Sequence, residues 1–302
     1  MATLNALIRK TLRAAFNYDP SFCDMYEDAH ASSAAEEYLS HIRPAIREQF
    51  GDRTLTILDA GCQAGRLLIP LAQEGHRLIG VDTSAFALRR TQQHANTRRL
   101  AVRLHRGNIA NLRRWVAPGS LDVAICTEVL YLCRDHRDLL RLLAESVKPG
   151  GLLGLSHRPP VFYVGVALRR GEVDAASSVI RRSEGPSPDG AYHNWQTPQQ
   201  LDALYREAGL RVLSCVPVDH TAMSLDLSAV RDPDVTQLLA PARSAARGTS
   251  SVGSSSATDT PSPERTLPAR SPARTVPARS PAHQGDSTYR IPQYFLVIAQ
   301  NR

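Results

Sequence analysis

From Thr54 onward, short apolar runs alternate with segments whose apolar residues recur at helical spacing. The runs TLTILDA (54–60), RLIGVD (77–82), AVRLHRG (101–107), LDVAIC (121–126) and LLGLSH (152–157) read as strands. Between them, 67–73, AFALRRTQQHA and 138–147 read as amphipathic helices. Strands that are apolar nearly throughout, separated by helices, predict a parallel sheet covered on both faces. The punctuation agrees. Gly75 closes the first helix, Thr83 or Ser84 caps the second, and Lys148-Pro149-Gly150-Gly151 turns the chain into the fifth strand. Thr197-Pro198-Gln199-Gln200 is a capping box with Pro at the first helical position, opening a helix that ends at Gly209. Strands follow at 210–218 and 294–300.

Outside this pattern the character of the sequence changes. Residues 1–50 carry a helical period over YEDAHASSAAEEYLSHIRPAIREQF and are expected to form a helical cap. In 158–196, PPVFYVGVALRR reads as a helix and SEGPSPDG as a turn-rich loop, an arrangement suited to covering substrate. Residues 225–286 are largely Ser, Pro, Ala and Arg, with PARSPA at 268–273 and again at 277–282. Such a stretch buries too little apolar area to offset its ordering entropy, so it is expected to be a disordered insertion. The core is then 51–157 completed by 197–224 and 287–302.

Composition narrows the class without naming it. The chain has 302 residues and a net charge of +7. Six arginines against two acids between 240 and 285 account for +4 of that charge, so much of the excess sits in that one stretch. No apolar run approaches the roughly 20 residues of a membrane span. Five cysteines without a C-x-x-C pair indicate neither a disulfide framework nor a zinc site, and suggest reduced thiols in the cytoplasm.

The candidate chemistry sits where the first strand meets its helix. Leu58-Asp59-Ala60-Gly61-Cys62-Gln63-Ala64-Gly65-Arg66 is a glycine-rich turn, the place where open α/β sheets bring backbone N–H groups to a ligand. The spacing is G-x-x-x-G rather than the G-x-G-x-x-G of a pyrophosphate loop. Asp59 would repel a pyrophosphate and suits a ligand bearing positive charge. Asp82, ending the second strand beside Thr83, can accept bonds from two ribose hydroxyls, each charge-assisted contact worth about 1.5–3 kcal/mol.

Taken together, LDAGCQAGRLLIPLAQEGHRLIGVDTS, the Gly107-Asn108 pair, LDVAICTEVLYL and the Lys148–Gly151 turn resemble class I methyltransferases that use S-adenosylmethionine (SAM). The likeness covers about 50–157, in the style of quinone and natural-product enzymes. It implies a Rossmann-like α/β fold with a seven-stranded, mostly parallel sheet in order 3-2-1-4-5-7-6, strand seven antiparallel. It also implies adenine contacts from Asn108 and Ile109 and contacts near the methionine end from Cys126 or Thr127. The expected SAM-binding residues are therefore Asp59, Gly61, Cys62, Gln63, Gly65, Asp82, Thr83, Asn108, Ile109, Cys126 and Thr127. Two positions depart from the family: Gln63 replaces the middle glycine and Asn108 the usual aspartate. Quinone-type relatives carry E-x-x-E-H after strand four, whereas these slots read Glu128, Tyr131 and Leu132, so no metal is expected.

Sites in such sheets lie beyond the carboxyl ends of the strands. That rule selects Glu128 and His157, with His193 from the segment before the capped helix, as catalytic candidates. Tyr131, Tyr192 and Trp195 are the candidate substrate contacts. The expected acceptor is a small metabolite methylated on O, N or C, with the oligomeric state left open. A competing reading is a methyltransferase acting on RNA or another anionic polymer. It draws on Arg89, Arg90, Arg98, Arg99, Arg103, Arg106, Arg113 and Arg114, a run without an acid that reads more readily as a solvated basic face. A third is a non-catalytic SAM-binding or scaffold protein, suggested by Gln63.

Overall fold

The computed structural model describes Asp24 and residues 26–186, 191–247 and 286–302. Its helices are α1 (Ala29–Phe50), α2 (Leu68–Gln73), α3 (Ala85–Thr97), α4 (His136–Ser146), α5 (Pro160–Arg169), α6 (Val173–Ile180), α7 (Pro198–Glu207) and α8 (Pro233–Arg247). Its strands are β1 (Thr56–Ala60), β2 (Arg77–Asp82), β3 (Val102–Arg106), β4 (Leu121–Cys126), β5 (Val147–His157), β6 (Glu184–Pro186), β7 (Tyr192–Asn194), β8 (Leu210–Asp226) and β9 (Asp286–Asn301).

Seven strands form one sheet in the order β3-β2-β1-β4-β5-β9-β8, parallel up to β5. The last strand in sequence, β9, runs antiparallel between β5 and β8. This is the order and polarity that the resemblance implies. β4 is buried at every position. One face of the sheet packs on α1 and α2 through Tyr38, Leu39, Ile42, Leu68 and Leu71. The other packs on α4 and α7 through Leu139, Leu143, Leu201 and Tyr205. Asp28 caps α1, Ser84 caps α3, and Thr197 with Gln200 closes a full capping box on α7.

The C-terminal part departs from the expectation in length. β8 continues eight residues past 218, and β9 begins at Asp286 rather than 294. Their register runs without a break from His220↔Pro292 to Asp226↔Asp286. The resulting two-stranded arm projects beyond the sheet and buries Met223, Leu225, Tyr289 and Ile291 against α5, α6 and α8. The stretch 225–286 is therefore not wholly without structure. Its first part closes β8 and forms α8, because Val235, Leu239 and Ala242 fall on one helical face that the arm can cover. The rest of the expected insertion, 248–285, and the first 23 residues of the expected cap lie outside the described residues. In 158–196 the expected helix is α5, followed by α6 and the β6–β7 hairpin. Among the described residues no helix is long and apolar enough to cross a membrane.

Candidate functional site

The turn after β1 is shaped by three residues with left-handed backbone: Gly61 (φ 83°), Gln63 (φ 45°) and Gly65 (φ 89°). Gln63 is the costly one, since a side chain there loses about 1–2 kcal/mol. Its neighbours hold it. The Gln63 N–H donates to Asp82 Oδ2 at 2.9 Å, and its carbonyl accepts from Thr91 Oγ1 at 2.7 Å. The Gly61 and Cys62 N–H groups both donate to the Val81 carbonyl, which ties the turn to the end of β2. A Cβ on Gly61 would stand 2.4 Å from Val129 Cγ2, so the loop after β4 lies directly against the turn.

Asp82 is half-buried, and its Oδ1 also accepts from the Ser84 N–H at 2.8 Å. Burial raises its pKa while the N–H groups of Ser84 and Gln63 oppose the rise. Asp59 is only 2% exposed. Burial pushes its carboxyl up to about 7, with Arg66 pulling down and Asp82 adding to the rise. A cationic ligand nearby would return it to the carboxylate. Gly107 N–H bonds to the Asp82 carbonyl at 2.9 Å, which sets Asn108 beside the end of β2. Asn108 Oδ1 accepts from Ala110 N–H and caps a short 3-10 turn over Ile109–Arg114, leaving Asn108 exposed and Ile109 buried. Thr83 is exposed next to Asp82. Cys62, Cys126 and Thr127 are buried, and burial pushes both thiols well above their ordinary range, so they are neutral.

A second cluster forms where β4 and β5 end. Glu128, itself left-handed at φ 62°, has its N–H held by Ser156 Oγ at 2.7 Å. One carboxylate oxygen pairs with Arg66, which is buried against the Tyr38 ring of α1. The other accepts from Tyr294 Oη at 3.0 Å. Tyr294 Oη in turn accepts from Arg158 Nη2 at 2.8 Å. Burial, then Glu128, raises the Tyr294 pKa, so the phenol keeps its proton. Tyr131 lies between Tyr294, tilted at 53°, and His193, met edge-on, and Tyr163 Oη meets His193 Nδ1 at 2.6 Å. The structure thus brings together three of the expected residues, Glu128, Tyr131 and His193. It adds five that sequence reasoning missed: Tyr38, Arg66, Arg158, Tyr163 and Tyr294.

The other expected residues fall elsewhere. His157 is 1% exposed and turns into the core, where its Nε2 meets Tyr205 Oη of α7 at 2.9 Å. Adjacent strand residues face opposite sides, so the side that faces the cluster belongs to Ser156 and Arg158. His157, expected beside Glu128 and His193, thus lies apart from both. Trp195 is a packing residue: it is buried against Tyr163, and its Nε1–H is shared by the carbonyls of Val179 and Arg182. Tyr192 bonds Glu184 across the β6–β7 hairpin and lies under Arg134, away from Glu128's partners. A cleft of about 350 Å³ opens beside Trp195, Ile180 and Leu238, and no residue of the Glu128 cluster lines it. Of the basic run, Arg90 pairs with Asp24 and Glu27, and Arg113 with Glu145. β3, which carries Arg103 and Arg106, is the sheet's edge strand.

The donor set at the turn fits an adenosine-bearing ligand with positive charge: a half-buried carboxylate at the end of β2, a helix opening at Leu68, and Asp59 behind the turn. Comparison with known proteins agrees. Residues 57–151 match the family model of a methyltransferase domain. A ubiquinone biosynthesis O-methyltransferase of Pseudomonas paraeruginosa is 27% identical over 202 residues, covering 66% of this chain and 83% of that protein. One from a Methylobacterium species is 28% identical over 198 residues, covering 64% and 74%. Among solved structures, a putative SAM-dependent methyltransferase from Listeria monocytogenes superposes with a TM-score of 0.53 at 14% identity, covering 89% of this chain and 99% of that one. Magnesium protoporphyrin IX methyltransferase from Synechocystis, solved with S-adenosylhomocysteine (SAH), gives 0.50 at 18% identity, covering 71% and 92%. At these identities the solved structures establish the fold.

Proposed function

This chain is a class I SAM-dependent methyltransferase, and from that premise we propose that it methylates a hydroxyl oxygen on a small aromatic acceptor. The observation that carries the reading is the Glu128–Tyr131–His193–Tyr294 cluster at the carboxyl ends of β4 and β5, with Val129 packed on the glycine-rich turn. The O-methyltransferase relatives support oxygen as the acceptor atom. The density of tyrosines supports an aromatic acceptor. In this reading Asp82 holds the ribose, Asn108 and Ile109 meet the adenine, and the backbone of Gly61–Gly65 meets the amino-acid end. When bound, SAM supplies a methyl group already activated on sulfur, so the protein's work is alignment, exclusion of water and removal of one proton.

His193 is the proposed proton acceptor. Its ring lies edge-on to Tyr131, and Tyr163 Oη fixes it through Nδ1. With Nδ1–H donated to Tyr163, the lone pair that takes the acceptor's proton is on Nε2. Glu128 is a positioning residue, since both its oxygens are engaged by Arg66 and Tyr294. The free thiols of Cys62, Cys126, Cys133 and Cys215 support a cytoplasmic setting.

The test is SAH release with catechol, benzyl alcohol and aniline as acceptors. Turnover should occur with the hydroxyl compounds. In His193→Gln the rate should fall on the order of 10²–10⁴-fold, and the rising limb of the pH profile should vanish. Transfer to aniline alone, or an unchanged pH profile in the variant, would refute the reading.

A further inference from the structure

The Glu128 cluster holds two guanidinium groups, one buried and one half-buried, and one carboxylate. Arg66 takes the carboxylate. Arg158 is half-buried and forms no ion pair among the described residues; its Nη1 reaches the Gln293 carbonyl at 3.2 Å and Gln293 Oε1 at 3.4 Å, and its Nη2 the Tyr294 hydroxyl. Its Nε–H is buried with no hydrogen-bond partner among those residues. The rings of Phe162 and Tyr294 lie 4.0 Å from its central carbon and that of Tyr131 5.0 Å. Aromatic faces stabilise a cation but do not neutralise it. A buried charge is ordinarily paired, because leaving it single costs several kcal/mol of lost hydration.

We propose that Arg158 is an anchor for a carboxylate carried by the methyl acceptor. The inference rests on the aromatic-acceptor reading given above and names the substrate class more closely: a hydroxylated aromatic acid. The guanidinium is a planar fork that matches a carboxylate with charge-assisted bonds. Its spare N–H is enclosed by rings against which an aromatic acid would stack. Through Tyr294 the same guanidinium is linked to Glu128, so the anchor and the loop after β4 share one network. An acid seated on Arg158 would lie beside Tyr131, the ring whose edge also meets His193.

The experiment titrates benzoate and benzamide, nearly equal in shape and different in charge, into SAH-loaded protein by calorimetry. The parent should bind benzoate at least about tenfold more tightly than benzamide, the effect of one charge-assisted contact. In Arg158→Gln that ratio should fall to near one with SAH affinity unchanged, and Arg158→Lys should keep part of it. Should the Gln variant not fold, the parent's ratio and the Lys variant decide. Equal affinity of the parent for both probes overturns the proposal. So does a preference that survives in Arg158→Gln. A loss of SAH affinity in that variant also overturns it, by placing the anion on the cofactor. These readouts involve no turnover, so they stand or fall separately from the choice of methylated atom.

Discussion

The parallel part of the sheet and the β8–β9 arm bury similar side chains by different means. In the parallel part, each strand is flanked by a helix close in sequence, and the covering residues come from the adjoining segment: Leu68 and Leu71 follow β1, and Leu139 and Leu143 follow β4. In the arm, β8 and β9 are separated by more than fifty residues, yet pair from Leu210↔Asn301 to Asp226↔Asp286. Their outer halves are covered by α5, α6 and α8, drawn from two separate stretches of the chain. The parallel part supplies the ligand turn, and β9, just inside the point where it leaves the sheet for the arm, supplies Tyr294, which joins Glu128 to Arg158. Local contacts thus build the cofactor end, and non-local ones complete the acceptor end.

The sharpest way to break this comparison is to weaken the arm alone. Ile291 is fully buried, and the arm approaches α5 so closely there that a Cβ on Gly165 would stand 2.6 Å from Ile291 Cδ1. Ile291→Ala should cost about 2–5 kcal/mol, lowering the Tm by roughly 2–4 °C per kcal/mol for a domain of this size. SAH affinity should stay within about twofold. A change in stability under about 1 kcal/mol would show that the arm is not part of the cooperative core. A large loss of SAH affinity would show that the two regions are not separable.

The converse change strikes the turn. At Gly61→Ala the positive φ costs about 1–2 kcal/mol, and the new methyl meets Val129, which must shift. Here the expected pattern is reversed: a destabilisation of about 1–3 kcal/mol accompanied by at least a tenfold loss of SAH affinity, both read by titration and melting. Loss of stability with unaltered SAH affinity would remove the turn from the cofactor site.

The same contrast explains how much was legible in the sequence. The order of β1–β5, the caps at Ser84 and Thr197 and the glycine-rich turn are written in contiguous residues, and the structure has them where spacing and turn chemistry put them. The middle of the turn was legible only as an anomaly: Gln63 stands in a left-handed position and is held by Asp82 and Thr91, contacts nineteen and twenty-eight residues away. The outer arm was missed because the sequence between its strands is poor in apolar residues, which drew the expected boundary inward over the end of β8 and α8. Arg66 and Arg158 each stood next to an expected residue. What singles them out is pairing with Glu128 and Tyr294 across 62 and 136 positions, and no local spacing announces that. His157 was selected by its position at the end of β5, but strand alternation sends it to the α7 side.

That placement has its own consequence, the smallest of these effects and the most specific. Burial holds His157 neutral, with its pKa brought down to about 3. In the unfolded chain an imidazole titrates near 6.5. Above that pH neither state carries the proton and the contribution of His157 to stability is complete. Between about pH 6.5 and 3 the unfolded chain binds a proton that the folded protein refuses, so stability falls as the pH falls, by up to about 1.4 kcal/mol per pH unit. Asp59 acts in the opposite sense. Its carboxyl, raised to about 7 by burial, costs stability as the pH rises toward neutrality. The raw pH curve therefore mixes both, and the useful quantity is the difference between the parent and His157→Phe in urea unfolding at pH 7.5 and 5.5. The parent should lose about 1–1.5 kcal/mol more than the variant across that interval. Parallel pH dependence would mean that His157 accepts a proton in the folded state, and would return it to the candidates for the reacting site.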